Sequence, residues 1–189
     1  MSTMASAPRR KDPTRRERIA RAAITVVADR GVEKLTHRAV AAAAEVPLGS
    51  TTYHFATLDD LLAEALKVAA ADDVAHLREW TAHLDRDLDL VATLTDIVLH
   101  CLGPARPQTV VQHELYIAAL HRPALRHVST EWDSELTELF TSYTDATTGR
   151  LLSSVLCGLL LQGVVRESVP SRDEIEMIFR RALCGGDGG

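Results

Sequence analysis

Val46-Pro-Leu-Gly-Ser-Thr-Thr-Tyr-His-Phe-Ala-Thr-Leu-Asp-Asp-Leu-Leu62 (VPLGSTTYHFATLDDLL) places a hydroxyl-rich run with an aromatic end directly before an amphipathic repeat. Pro47 biases Val46 away from helical angles and is tolerated in a first helical turn, so a short helix is predicted over PLGSTTYHF. Thr57 followed by Asp60 reads as a capping box. Beyond it Leu58, Leu61, Leu62, Ala65, Leu66 and Ala69 keep the spacing of a core-facing helix. Upstream, Thr36 is the predicted N-cap of a short helix over THRAVAAAAE. A longer helix precedes that one, with Asp12 and Pro13 at its start, an apolar face on Ile19, Ala22, Ala23, Val26 and Val27, and Gly31 at its end. Long helix, short helix, tight turn, short helix is the helix-turn-helix plan, in which the last helix enters the DNA major groove. Small residues at 49–52 would let that helix approach base edges, and Phe55 would anchor it from beneath.

The rest of the chain reads as helices of the same kind. Apolar periodicity predicts them over about 88–102, 108–121, 124–143, 145–166 and 172–184, with Gly103-Pro104 and Pro123 as stops. No alternating run long enough for a half-buried strand stands out, so the fold class is all-α. Aromatics are only 4% of the residues, which makes the core mainly aliphatic. Three widely spaced cysteines favour free thiols in a reducing compartment. The polar start has no apolar stretch of the signal-peptide kind, and LLSSVLCGLLLQGVV is short and interrupted for a membrane span. A cytoplasmic protein without a membrane partner is expected. Residues 1–55 hold 10 Lys/Arg against 5 acids, and the remainder 11 against 21. A basic front on an acidic body suits one region meant for a polyanion.

From Arg18 to about Leu66 the sequence resembles the TetR family of transcriptional regulators: RIARAAITVVADRG, LTHRAVA, GSTTYHF and the following ATLDDLLAEAL fall in register. The resemblance implies a homodimer that holds double-stranded DNA with its three amino-terminal helices. It also implies a helical second domain that binds a small-molecule effector and dimerises through its last two helices. Carried over by position, Thr36, His37 and Arg38 begin the helix that crosses the DNA backbone. Leu48, Gly49, Ser50, Thr51 and Thr52 lie in or beside the groove, and Tyr53 and His54 meet phosphates. The chain departs from the family pattern at Glu45, where glycine is common, at Thr52, where an aromatic is common, and at Leu48 and Leu58, where lysine is common. The missing cations should flatten the salt dependence of binding. The resulting organisation is a disordered basic tail at 1–12, a DNA-binding domain at 13–57, a ligand-binding and dimerisation domain at 58–184 and a tail at 185–189.

Other constellations are weak. HELYI at 113–117 lacks the second histidine of a zinc-protease motif, and neither a nucleophile elbow nor Glu-x-x-His spacing occurs. No enzyme, metal site or cofactor is expected. Trp80, His113, Tyr116 and Trp132 suit a mostly apolar pocket with a few polar groups. The closing helices carry more apolar residues than one face needs, so Leu152, Val155, Leu156, Leu159, Ile175, Ile178 and Phe179 are expected at a four-helix dimer interface. The reading is a ligand-released repressor of a palindromic operator. Glu45, Leu48 and Leu58 favour the alternative, a protein-interaction adaptor with a degenerate helix-turn-helix.

Overall fold

The computed structural model describes residues 13–82, 90–166 and 168–184; the expected tails at 1–12 and 185–189, and the Asp12 cap, lie outside the described residues. Among the described residues there are nine α-helices and no strand. They are α1 (Pro13–Arg30), α2 (His37–Ala43), α3 (Leu48–His54), α4 (Leu58–Thr81), α5 (Leu90–Leu102), α6 (Arg106–Ala118), α7 (Pro123–Thr141), α8 (Ala146–Val165) and α9 (Arg172–Cys184). A 3-10 turn, Val32–Lys34, joins α1 to α2.

Helix α4 explains how the two halves become one body. Its capping box forms as the sequence predicts: Thr57 Oγ1 accepts from the Asp60 N–H, and Asp60 accepts from the Thr57 N–H, both at 3.0 Å. The apolar spacing from Leu58 to Ala69 continues, and the helix reaches Thr81 because Val74 and Leu77 are also buried. It buries Leu61, Leu62 and Ala65 and packs on both α1 and α7. One apolar core therefore runs from Ile19 through Phe55 and Leu66 to Phe140 and Phe179.

Two backbone positions set the amino-terminal unit. Gly31 has φ 81 and ψ 161, a conformation only glycine adopts readily. The chain there leaves α1 with the Val32 N–H facing α6, where Glu114 Oε1 accepts it at 2.5 Å. Glu45 has φ 54, the left-handed conformation at the end of α2. Val46 N–H reaches Ala41 O at 3.0 Å and Glu45 N–H reaches Ala42 O at 3.3 Å, a Schellman closure with glutamate in the usual glycine place. An L-residue in this conformation costs about 1–2 kcal/mol. Glu45→Gly is expected to raise stability by about 1 kcal/mol, and removing an exposed negative charge beside α3 should also tighten DNA binding. Urea denaturation and a DNA titration check both, and an unchanged or lower midpoint would show that the turn carries no strain.

The closing helices correct the expected interface. Leu152, Leu156, Ile175 and Phe179 are buried inside the protomer, because α8 and α9 turn those faces onto α5 and α7. Val155 and Leu159 are half-buried against the same core, and of the expected set Ile178 is exposed. The apolar surface lies one helical step away, on Leu151, Leu161 and Val165 of α8 and Met177 of α9. By length and composition α8 is apolar enough to cross a bilayer, yet its inner face belongs to this core.

Candidate nucleic-acid interface and ligand cavities

Helix α3 has seven residues, and its two faces differ sharply. Outward are Leu48, Gly49, Thr52 and Tyr53, with Tyr53 50% exposed and Ser50 half-buried. A Cβ added at Gly49 would meet nothing within 4 Å, so this face opens to solvent. Thr51 and His54 were expected on the groove and on phosphate; both are buried instead. The helical period puts 51, 54 and 55 on the side opposite 49, 52 and 53. The Thr51 hydroxyl accordingly donates to Leu48 O at 2.8 Å within its own helix. His54 packs edge-on to Tyr53 at 5.3 Å and offers its carbonyl to Arg16 at 3.0 Å.

That arginine ties the unit together. Its guanidinium lies 4.4 Å from the centre of the Phe55 ring and donates to Glu64 of α4 at 2.8 Å. The pairing holds the Glu64 carboxyl below its ordinary range. Arg21 is likewise spent internally, on Asp72 of α4 at 2.7 and 3.1 Å. Part of the basic front thus braces α1 on α4 rather than facing a polyanion. On α2, the Thr36 side chain accepts from the Ala39 N–H at 3.1 Å, which fixes the helix start. Thr36 and Arg38 are exposed on this side and His37 is half-buried.

The four pocket candidates divide between two chambers. His113, Tyr116 and Trp132 meet in an inner chamber of 170 Å³ between α4, α5, α6, α7 and α8. The Tyr116 and Trp132 rings stand edge to face at 5.8 Å, and Tyr116 Oη donates to Asp133 at 2.9 Å. Burial, then that hydrogen bond, pushes the Tyr116 phenol up to about 12. His113 Nδ1 lies 2.8 Å from Thr109 O. Trp80 is elsewhere, at the edge of an outer chamber of 490 Å³ lined from α1, α4, α5 and α6, with its ring 5.3 Å from that of His100. The separation follows from α4: Trp80 lies seven residues beyond Asp73, about two turns along the axis.

Two acids missing from the sequence-based set complete the inner chamber. Asp73 accepts from Trp132 Nε1 at 3.2 Å, and Asp133 holds Tyr116. Burial pushes the Asp73 carboxyl up to about 6, while Trp132, His76 and Gln112 pull it back. Its signal was present: Asp73 stands between Ala69 and Leu77 at i, i+4 spacing, a lone carboxylate on the buried stripe. Burial also raises the thiols of Cys101 and Cys157, each to about 11. Among the described residues no group of three His, Cys, Asp or Glu is placed to hold a metal ion.

The family model described as "Tetracyclin repressor-like, C-terminal domain" matches residues 85–185. The multidrug binding protein EbrR, crystallised with imidazole, is 43% identical, with a TM-score of 0.82 over 90% of this chain and 96% of that one. This chain belongs to the TetR family of transcriptional regulators. A TetR family member from Streptomyces coelicolor A3, SCO1917, is also 43% identical, with a TM-score of 0.79 over 90% of this chain and 98% of its own. EbrR with ethidium gives 41% identity and a TM-score of 0.79, over 89% and 98%. No curated protein matches. As a TetR-family regulator the protein is a DNA-binding transcription factor with an amino-terminal helix-turn-helix and a helical carboxy-terminal domain. This kinship supports the DNA-binding reading over the adaptor alternative, which rested on three departures from the family pattern.

Proposed function

We propose that the protein is a cytoplasmic dimeric repressor that holds a palindromic operator through α2 and α3 and is released by a flat aromatic cation. The observation that carries the DNA reading is the outward face of α3, where Leu48, Gly49, Thr52 and Tyr53 are exposed. Leu48 and the Thr52 methyl suit thymine methyls, and the Thr36 and Tyr53 side chains suit phosphates. Dimerisation is supported by the apolar strip that each protomer leaves uncovered. Leu151 and Val165, with the half-buried Val155 and Gly158 between them, recur on one side of α8, beside Met177 and Ile178 of α9. Nothing lies within 4 Å of a Cβ added at Gly158, which also borders the inner chamber. Two recognition helices must meet half-sites about 34–36 Å apart or a multiple of that, so a small pivot costs affinity.

EbrR was crystallised with ethidium and with proflavin, both flat aromatic cations. Asp73 and Asp133 beside the Tyr116–Trp132 pair offer a molecule of that type charge and ring faces together. Helix α6 is the route outward. It carries His113 and Tyr116 on the inner chamber and, between them, Glu114 on the Val32 N–H. Just past its end, Arg122 holds Asp59 at the start of α4 at 2.6 Å. Glu114→Ala is expected to keep proflavin affinity within about twofold but to lose most of the ligand-induced drop in DNA affinity, a coupling of about 1–3 kcal/mol in such systems. DNA titrations with and without proflavin measure it; undiminished release would remove Glu114 from the route.

The whole reading is tested by selecting sites from random duplexes over a salt series. The expected result is an enriched palindrome whose affinity falls at least tenfold in Tyr53→Ala, with a shallow salt slope because Arg16 and Arg21 are engaged inside the fold. Binding without any enriched sequence would refute sequence-specific repression.

A further inference from the structure

The inner chamber, at 170 Å³, is smaller than the roughly 300–1,000 Å³ that drug-sized ligands occupy, whereas the outer chamber, at 490 Å³, falls within that range. The two share a wall made of Asp73, Leu77, Ile97, Cys101 and Gln112. The far wall of the outer chamber is α1 itself, through Ile24, Thr25 and Ala28. Its edge carries the Trp80 ring and His100. Of the two adjacent acids on α4, Asp72 is occupied by the Arg21 guanidinium. Asp73 instead accepts from the neutral Trp132 indole N–H.

We propose that the outer chamber is the main seat of the effector, an aromatic organic cation whose charge lies against Asp73, whose ring meets Trp80 and whose body rests on α1. This deepens the ligand-responsive reading above and rests on it, while moving most of the ligand away from the Tyr116–Trp132 pair. The mechanical consequence is direct. Arg16 on α1 holds the end of α3 through the His54 carbonyl and holds α4 through Glu64. A ligand seated between α1 and α4 acts as a wedge on the pair of helices that positions α3. It acts beside the α6 route, whose Glu114 holds the Val32 N–H just past the end of α1.

The chain has two tryptophans, and they fall one to each chamber, Trp80 outer and Trp132 inner. Their indole N–H signals in the full-length, ¹⁵N-labelled dimer therefore report where a ligand sits. Proflavin and ethidium are the probes. The expected result is a saturable shift of the Trp80 signal, with affinity reduced at least tenfold in Thr25→Arg and in Ala28→Arg. Both positions are exposed on α1, so the melting temperatures of these variants should match the wild type. A shift confined to Trp132, with wild-type affinity in both arginine variants, would overturn the outer seat and leave the ligand-responsive reading intact. No shift of either signal with either dye would overturn both.

Discussion

Phe55→Ala is expected to destabilise the protein by about 3–5 kcal/mol and to abolish specific DNA binding even where the remaining helices persist. Phe55 is 1% exposed and caps the carboxy-terminal end of α3, where its backbone N–H reaches Thr51 O at 2.9 Å. Its ring fills the space between α1, α3 and α4, and Arg16 lies over its face. Truncation leaves a cavity under the recognition helix and takes the aromatic surface from a guanidinium that also holds the His54 carbonyl and Glu64. A loss of 3–5 kcal/mol is a large part of the roughly 5–15 kcal/mol typical of a folded domain. Phe55→Leu keeps most of the volume and should recover most of the stability but not the cation–π contact. Urea denaturation beside a DNA titration separates the two effects. A loss under about 1 kcal/mol, with DNA binding retained, would show that α3 is held by other means.

Asp73→Asn should move stability and ligand affinity in opposite directions. Burial pushes the folded-state carboxyl up to about 6, above an ordinary aspartate near 3.9. Between those values the native chain binds more protons than the unfolded one, so stability falls as pH rises through the window, and the loss is complete above about 6. Two pH units correspond to about 3 kcal/mol, an upper bound for what the uncharged amide restores. Asparagine can still accept from Trp132, so the variant should melt higher than wild type at pH 8. The difference should vanish near pH 4, where both side chains are neutral. Proflavin affinity should drop about 30-fold or more, the scale of removing one partner of an enclosed charge pair. In the wild type, proflavin should also bind more weakly as pH falls through 6. A variant that melts lower at pH 8, or binds the dye unchanged, would contradict the role given to Asp73.

The opposition between those two effects has a general cause. A buried carboxylate waiting for a cation is costly in the empty protein, and the same cost makes the site selective once filled. The two chambers therefore concentrate unfavourable burial where the ligand is expected, while the surrounding core is ordinary aliphatic packing.

Much of this was readable from residues alone because it depended on local rules. The capping box at Thr57 and Asp60, the Thr36 cap, and the stops at Gly31 and before Pro123 each involve groups within a few positions of one another. The all-helical fold and the location of the α3 contact helix followed from the same short-range patterns. Glu45 stood out as the wrong residue for its turn, and its φ of 54 is the backbone form of that mismatch.

Which face of a helix looks inward is not a local property when several faces are apolar. On α8 and α9 the sequence offered two adjacent apolar stripes, and only packing against α5 and α7 decided that Leu152, Leu156, Ile175 and Phe179 go inside while Leu151, Val165 and Met177 stay out. The same limit applied to Thr51 and His54, whose polar side chains are buried by the packing of α3 on the rest of the fold. Charge followed suit: the sequence determined that the front is basic, but the fold committed Arg16 and Arg21 to α4. The chambers depended most of all on tertiary structure. Asp73, Trp80, Thr25 and Trp132 are scattered over more than a hundred positions, and only the crossing of α1, α4, α6 and α7 makes them neighbours around two connected cavities.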